Sequence, residues 1–253
     1  MNTANDIKEK SGLNSNQLKL IAITAMTIDH LTWVLFPGLQ AVWYVFALHI
    51  IGRLTAPIMW FFIAEGFHYT RNVKKYAERL FLFALISHFA YDFAFGIPFF
   101  SPSAGVFNRT SVMWSLALSV VIMAAAKSKK IKTWLKYVII FAACIISFPS
   151  DWSSIAVMAP FSINDHRGNF KKQALDIVFW TFVYALVYFI FIDKLYGVLQ
   201  MFTFLSIPLL KQYNGERGKW KGMKWLFYIY YPAHLVVIGI LRIILHGNIS
   251  IIF

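Results

Sequence analysis

Long apolar segments separated by short polar loops dominate the chain and limit what it can fold into. A helix needs about 20 mostly apolar residues to cross roughly 30 Å of membrane hydrocarbon. Segment 152–164 and a further apolar stretch, 39–51, are short for this, so a tilted, interfacial or half-crossing course stays open for both. The predicted fold is an all-α transmembrane helix bundle of about nine spans, with eight to ten as the range. The predicted spans are residues 18–36, 53–70, 78–95, 111–126, 133–149, 152–164, 173–192, 195–210 and 225–245.

The composition favours the same class of protein. Hydrophobic residues make up 59% of the 253 residues and charged residues 14%, against about 45–50% and about 25% in soluble globular proteins. This excludes a disordered chain and a soluble nucleic-acid-binding domain, so we expect no nucleic-acid partner. Cys144 is the single cysteine, which leaves no internal disulfide and no cysteine-rich metal site.

The basic residues are distributed unevenly between alternate loops. With a cytoplasmic N-terminus, nearly all of them fall on the cytoplasmic side, as the positive-inside rule requires. The exceptions are Arg53, Arg109, Lys194 and Arg242. We therefore predict a cytoplasmic tail at residues 1–17 and a single transmembrane domain at residues 18–253. The net charge of +13 is then explained mostly by basic residues that orient the chain in the membrane and contact anionic lipid headgroups. Attraction of a polyanionic cytosolic substrate is the alternative.

Ionisable residues at membrane depth are rare and are the places to look for chemistry. Asp29 and His30 lie in the first predicted span, and since helical neighbours point about 100° apart, each needs a partner on another helix. Arg53, at the start of the next span, is the candidate partner of Asp29, either in a site or in an ion pair that only fixes packing. Asp151, at a predicted turn, is expected to cap the helix that follows.

The other polar candidates are Glu65 with His68, His88 with Asp92, and His234. A Glu-x-x-His pair invites a metal site, but the chain has no second such pair, so we expect no metal and a packing or donor-pocket role. Asp92 is placed to orient the imidazole of His88, with a hydrogen bond at the loop end as the alternative. A lone histidine such as His234 is most often a satisfied core residue, and a second acid or base is the other interpretation.

Several runs of sequence resemble the TraX family of multi-span bacterial proteins, which is named for N-acetylation of conjugative pilin. They are KLIAITAMTIDH, GRLTAPIMWFFIAEGFHYTRNVKKYAERLFLFALIS, and LLKQYNGERG with WLFYIYYPAHL, and they follow in order over residues 18–244. The third-span motif differs, because His88 follows Ser87 where such proteins more often carry Glu or Gln. The first span and WLFYIYYPAH are more distantly similar to membrane acyltransferases that O-acetylate surface sugars.

The resemblance implies a multi-pass acetyltransferase of the bacterial inner membrane that uses acetyl-CoA as cosubstrate. The acceptor does not follow from the family name, and the candidates are an amine or hydroxyl of a surface glycan, glycolipid or pilin-like protein. His30 is then the general base, with Asp29 orienting an imidazole and Arg53 holding Asp29 or stabilising an oxyanion. The cations expected to contact the CoA phosphates include Arg71, Lys75, Lys129, Lys130 and Lys219.

Two rival functions remain open at this point. In a proton-coupled transporter or exporter, Asp29, His30, Glu65 and His88 would form a proton relay. Inverted repeats or paired broken helices would favour that function, and the sequence shows neither. In a non-enzymatic membrane scaffold, all the buried charges would be paired with one another and no cavity would lie between them.

Overall fold

The computed structural model describes residues 11–98 and 108–251. Much of the predicted tail 1–17 and most of the segment between the predicted spans 78–95 and 111–126 therefore lie outside the described residues. Within the described part, the chain forms eleven α-helices and one short 3-10 helix. They are α1 (Ser15–Leu35), α2 (Trp43–Gly52), α3 (Thr55–Tyr69), α4 (Val73–Phe95), α5 (Met113–Lys127), α6 (Thr133–Ser147), α7 (Ile155–Asp165), α8 (Phe170–Phe191), α9 (Lys194–Met201), the 3-10 helix (Phe202–Leu205), α10 (Ser206–Lys211) and α11 (Met223–His246).

The prediction of an all-helical fold is confirmed for the described residues, whose only extended pairings are two isolated β-bridges. Among the residues that the structure describes, four helical units are long and apolar enough to cross a membrane: α1, the joined unit Trp43–Tyr69, α8, and Trp225–His246 within α11. The helices α5 and α6 are apolar but shorter. The fold is thus consistent with a helical membrane protein, while the count of nine spans stays a prediction.

The further apolar stretch 39–51 and the predicted span 195–210 each form more than a simple separate helix. The stretch 39–51 supplies α2, which runs on into α3 as a single unit of 27 residues, Trp43–Tyr69. The two helices are separated only by a short turn at Arg53 and Leu54. The predicted span 195–210 is divided into α9, the 3-10 helix and α10.

Polar caps define where several helices begin. The Asn14 side chain accepts from the backbone N–H groups of Asn16 and Gln17, and Gln17 completes a capping box at the start of α1. Asn72 caps α4 and Asn169 caps α8 in the same way, through the backbone of the third helical residue. These three helix starts lie at one end of the bundle.

We call that end the basic end: residues 11–15, 69–73, 127–133, 165–170 and 211–223. Contacts between these segments hold it together, including the Leu13 to Tyr213 β-bridge and the Arg167 to Glu65 ion pair. The opposite end gathers the other loops, where the Arg109 N–H donates to the Pro149 carbonyl and the Ile251 N–H donates to the Phe95 carbonyl. The cytoplasmic orientation of the basic end stays a prediction.

The helix α1 lies inside the bundle, packed against α2, α3 and α11, while α4 packs against α5 and α11. In contrast, α6 is peripheral and buries only Ala143 and Ser147 of its 15 residues. Most of its other apolar side chains, such as Phe141, are exposed and suit contact with lipid. Asp29 of α1 is therefore enclosed by other helices, as expected for a functional site at membrane depth.

Candidate functional site

The site begins with the carboxylate of Asp29, which binds two partners from the next helical unit. Its Oδ2 lies 2.5 Å from Nη2 of Arg53, and its Oδ1 lies 2.8 Å from Nδ1 of His49. All three side chains are buried. The predicted pairing of Asp29 with Arg53 is present, and His49 is a partner that sequence analysis missed. A single histidine inside the apolar stretch 39–51 gave little signal, apart from its position one helical turn before Arg53.

Arg53 is held by further contacts around its guanidinium. Its Nε donates to the His49 carbonyl at 3.3 Å, and its Nη1 donates to Gln200 Oε1 at 3.2 Å and to the Tyr196 hydroxyl at 3.5 Å. The guanidinium also lies 6.0 Å from the ring centroid of Trp152. Most of the donors on Arg53 are thus occupied by the protein, so its main structural effect is to balance and fix Asp29.

The close approach of α2 to α1 depends on Gly52. A Cβ at this position would overlap the side chain of Asp29. Any larger residue would therefore push apart the two helices that carry Asp29 and Arg53. Gly52 is the last residue of α2, and the Asp29 side chain occupies the space that a Cβ would need, which makes this glycine a packing requirement of the site.

His30 points to a different partner, as the 100° offset from Asp29 requires. Its Nδ1 lies 2.8 Å from Nε2 of His234, and the two rings are parallel within 7°. His234 Nδ1 lies 3.0 Å from the carbonyl oxygen of Tyr230, which only accepts. When both rings are neutral, His234 donates from Nδ1 and accepts at Nε2, so His30 donates from Nδ1 and keeps an unprotonated Nε2. The histidine pair therefore presents a base at His30.

His30, Asp29 and Arg53 line a cavity of about 70 Å³, which we call the small cavity. Aromatic side chains form much of its wall, among them Trp60 and Tyr196. The cavity has room for a small reacting group and not for a long chain. It is the point at which the predicted catalytic residues meet.

Asp151 also lines the small cavity, and its predicted role as a helix cap is wrong. The helix α7 begins at Ile155 after Ser154, with no side-chain cap. Between Asp151 and Ser154 the chain makes a turn in which Trp152 (φ 61°) and Ser153 (φ 46°) have positive φ, which is unusual for residues other than glycine. Burial raises the pKa of the Asp151 carboxyl to about 7, with Arg53 acting in the opposite direction. No local sequence pattern predicts this turn.

The other predicted pairs lie away from the small cavity. Glu65 pairs with Arg167 at the basic end, where Arg167 Nε lies 2.7 Å from Glu65 Oε1, while His68 is exposed beside the ring of Tyr69. His88 Nδ1 lies 3.1 Å from Thr110 Oγ1 and 3.5 Å from Asp92 Oδ2. This geometry agrees with the loop-end hydrogen bond that the sequence left as the alternative.

A second cavity of about 460 Å³ opens at the basic end, and we call it the basic-end cavity. Three cations from three elements line it: Lys19 of α1, Arg79 of α4 and Arg217 of the loop before α11. Glu65 also lines it, with its charge balanced by Arg167. The rest of the wall is largely aromatic and apolar. Such a wall suits an anionic ligand with an uncharged arm.

The cations predicted to bind phosphates are not the ones that line this cavity. They are exposed at the basic end but outside the lining: Arg71, Lys75, Lys129, Lys130 and Lys219. Lys19 and Arg79 were missed because they lie within or beside predicted spans, where a charge was assigned to topology alone. A cation just inside a span on the cytoplasmic side was the available signal.

The two cavities share one lining residue, Met59 of α3. Its side chain is only 8% exposed. The small cavity with its histidine base and the basic-end cavity with its cations are therefore neighbours inside the bundle.

Comparison with known proteins agrees with the resemblance seen in the sequence. A family model described as TraX protein matches residues 14–242. A similar relative is the "Probable fimbrial assembly protein FimC, serogroup H1" of Dichelobacter nodosus, 28% identical over 233 residues that cover 88% of this chain and 93% of the relative. No solved structure matches the chain. Because the family model extends over most of the chain, the protein belongs to the TraX family.

Proposed function

We propose that this protein is an integral membrane acyltransferase that moves acetyl from acetyl-CoA to an amine or hydroxyl acceptor. The observation that carries the proposal is the pair of adjoining cavities, one with a histidine base and one with a cluster of cations. A transfer reaction needs a place for the donor and a place for proton transfer, with the acyl group passing between them. The small volume near His30 favours a short acyl group.

The donor side of the proposal rests on the basic-end cavity. CoA carries phosphates on a nucleotide and a long uncharged arm that ends in the thioester. Lys19, Arg79 and Arg217 supply positive charge for the phosphates, and the apolar wall receives the arm. Lys19 Nζ already lies 5.0 Å from the centroid of the Phe62 ring, which places the ammonium at the edge of that wall. The basic end then faces the cytoplasm, where acetyl-CoA is found, in the inner membrane of a bacterium.

The acceptor side rests on the histidine pair. The acceptor nitrogen or oxygen forms a bond to the acyl carbon while His30 Nε2 takes the proton that the acceptor loses. The C–S bond breaks, and His30 returns the proton to the leaving thiolate. His234 fixes the tautomer of His30 through the hydrogen bond at Nδ1 and shares the positive charge that His30 gains. Arg53 and Asp29 hold the wall of the cavity in place.

The acceptor is proposed to be a component of the cell surface. The fimbrial assembly named for the Dichelobacter nodosus relative supports a pilin-like protein, with a surface glycan or glycolipid as the other candidates. The lipid bilayer is the medium in which donor and acceptor meet.

Binding of acetyl-CoA to the purified full chain in lipid nanodiscs tests the proposal. We expect saturable binding that weakens about tenfold or more in a Lys19→Ala/Arg217→Ala variant, because two charge-assisted contacts are lost. The matched control is Lys129→Ala/Lys130→Ala, which removes two cations from the same end but outside the cavity. No saturable binding, or equal weakening in both double variants, would contradict the proposal.

A further inference from the structure

The helix α3 forms a wall of both cavities, one after the other along its length. Ala56 and Trp60 line only the small cavity, and Phe62 and Ile63 line only the basic-end cavity. Met59 lines both. A helix rises 1.5 Å per residue, so along the helix axis Ala56 lies about 4.5 Å from Met59 on one side and Ile63 lies about 6 Å from it on the other. The partition at α3 is therefore about one side chain thick.

We propose that the Met59 side chain is a gate between the two cavities. Met59 lines both cavities, and in the proposal a change of its side-chain rotamer opens a passage from the cations to His30. The consequence for acyl transfer rests on the proposed function, whereas the passage itself does not depend on it.

Methionine suits such a gate because its side chain is unbranched and has three rotatable bonds. It can move aside without a shift of the α3 backbone, which a β-branched side chain cannot do as easily. When closed, the gate keeps water of the basic-end cavity away from the small cavity and limits hydrolysis of the thioester. When open, it admits the acyl end of the donor.

The gate has a direct physical test that needs no acyl transfer. A single reporter cysteine, Ala56→Cys, is placed in the wall of the small cavity after Cys144→Ser removes the native thiol. The full chain is reconstituted in vesicles, and a charged methanethiosulfonate reagent is added on the side of the basic end. We expect Met59→Ala to raise the labelling rate at least about tenfold, and Met59→Phe, which is stiffer, to lower it. Thr55→Cys, also in the small cavity, is the second reporter.

The matched control is Met123→Ala. Met123 is a buried methionine of α5 that lines neither cavity, so the same atoms are removed without opening a passage. Labelling in this variant should stay at the rate of the protein with Met59 intact. Equal labelling rates in Met59→Ala, Met123→Ala and the parent, with both reporters, would overturn the proposal.

A second measurement connects the gate to the reaction. In Met59→Ala, the ratio of acetyl-CoA hydrolysis to transfer should rise severalfold, and butyryl-CoA should become a better donor relative to acetyl-CoA. Met123→Ala should keep both ratios. If labelling changes as expected but the parent protein transfers no acetyl group, the gate stands and the proposed function fails. If transfer occurs but neither labelling nor these ratios respond to Met59, the gate fails and the function stands.

Discussion

Replacing Asp29 with alanine removes one partner of the buried ion pair between α1 and the turn that joins α2 to α3. Arg53 then keeps its charge in a buried position, 4% exposed, and its remaining hydrogen-bond partners are a backbone carbonyl, a hydroxyl and an amide oxygen. Breaking a buried pair in this way costs about 3–5 kcal/mol. The reverse change, Arg53→Ala, leaves the carboxylate buried beside His49 and should cost a similar amount.

The double variant Asp29→Ala/Arg53→Ala removes both charges together. Neither is then left uncompensated, so its cost should fall short of the sum of the single costs by about 2–3 kcal/mol. At about 2–4 °C per kcal/mol for a chain of this size, each single variant should melt roughly 6–20 °C below the parent. The interaction would appear as a double variant that melts about 4–12 °C higher than the sum of the two single shifts predicts.

Thermal unfolding in detergent, followed by tryptophan fluorescence, measures these differences. The control is Lys74→Ala, which removes an exposed ion pair with Glu78, 3.8 Å long, and should change stability by less than about 1 kcal/mol. Single variants that melt within about 2 °C of the parent, or single costs that add fully in the double variant, would refute the reasoning.

Three further predictions concern other parts of the two cavities. Gly52→Ala should lower the melting temperature by several degrees, because its Cβ overlaps Asp29, and an unchanged melting temperature would count against the α1–α2 packing described. The pKa of Asp151 is raised from 3.8 to about 7 in the folded protein, so stability should fall as pH rises between these values, by at most about 4 kcal/mol. Asp151→Asn should therefore melt with a smaller difference between pH 5 and pH 8 than the parent, and an equal difference would contradict the burial of this carboxyl. Arg167→Ala leaves Glu65 uncompensated in the basic-end cavity and should weaken acetyl-CoA binding in a titration, with Glu65→Gln restoring it; no restoration would show that charge is not the cause.

The sequence was most informative where physics leaves few choices. Apolar length placed the helices, and the cost of an isolated charge at membrane depth led to the pairing of Asp29 with Arg53. The same cost did not reveal His49, because histidine was not counted among the charged residues and its neighbours in the stretch 39–51 are apolar.

Partners that are far apart in the chain were out of reach. His30 and His234 are 204 residues apart, and their contact depends on how α1 and α11 pack. The position of Asp151 depends on a turn with positive φ at residues that give no local signal for it. Which cations line the basic-end cavity likewise follows from tertiary packing, since Lys19 and Arg217 come from opposite ends of the chain.

The central claim is that the small cavity is a site of acyl transfer with His30 as its base. The most direct measurement is transfer of radiolabelled acetyl from acetyl-CoA to membrane acceptors by the parent protein, His30→Ala and His68→Ala. His68 is exposed at the basic end and lines neither cavity, so His68→Ala should retain transfer. We predict that His30→Ala stays folded and membrane-inserted but loses about 10²-fold or more of the transfer rate; transfer at the parent rate in His30→Ala would contradict the account.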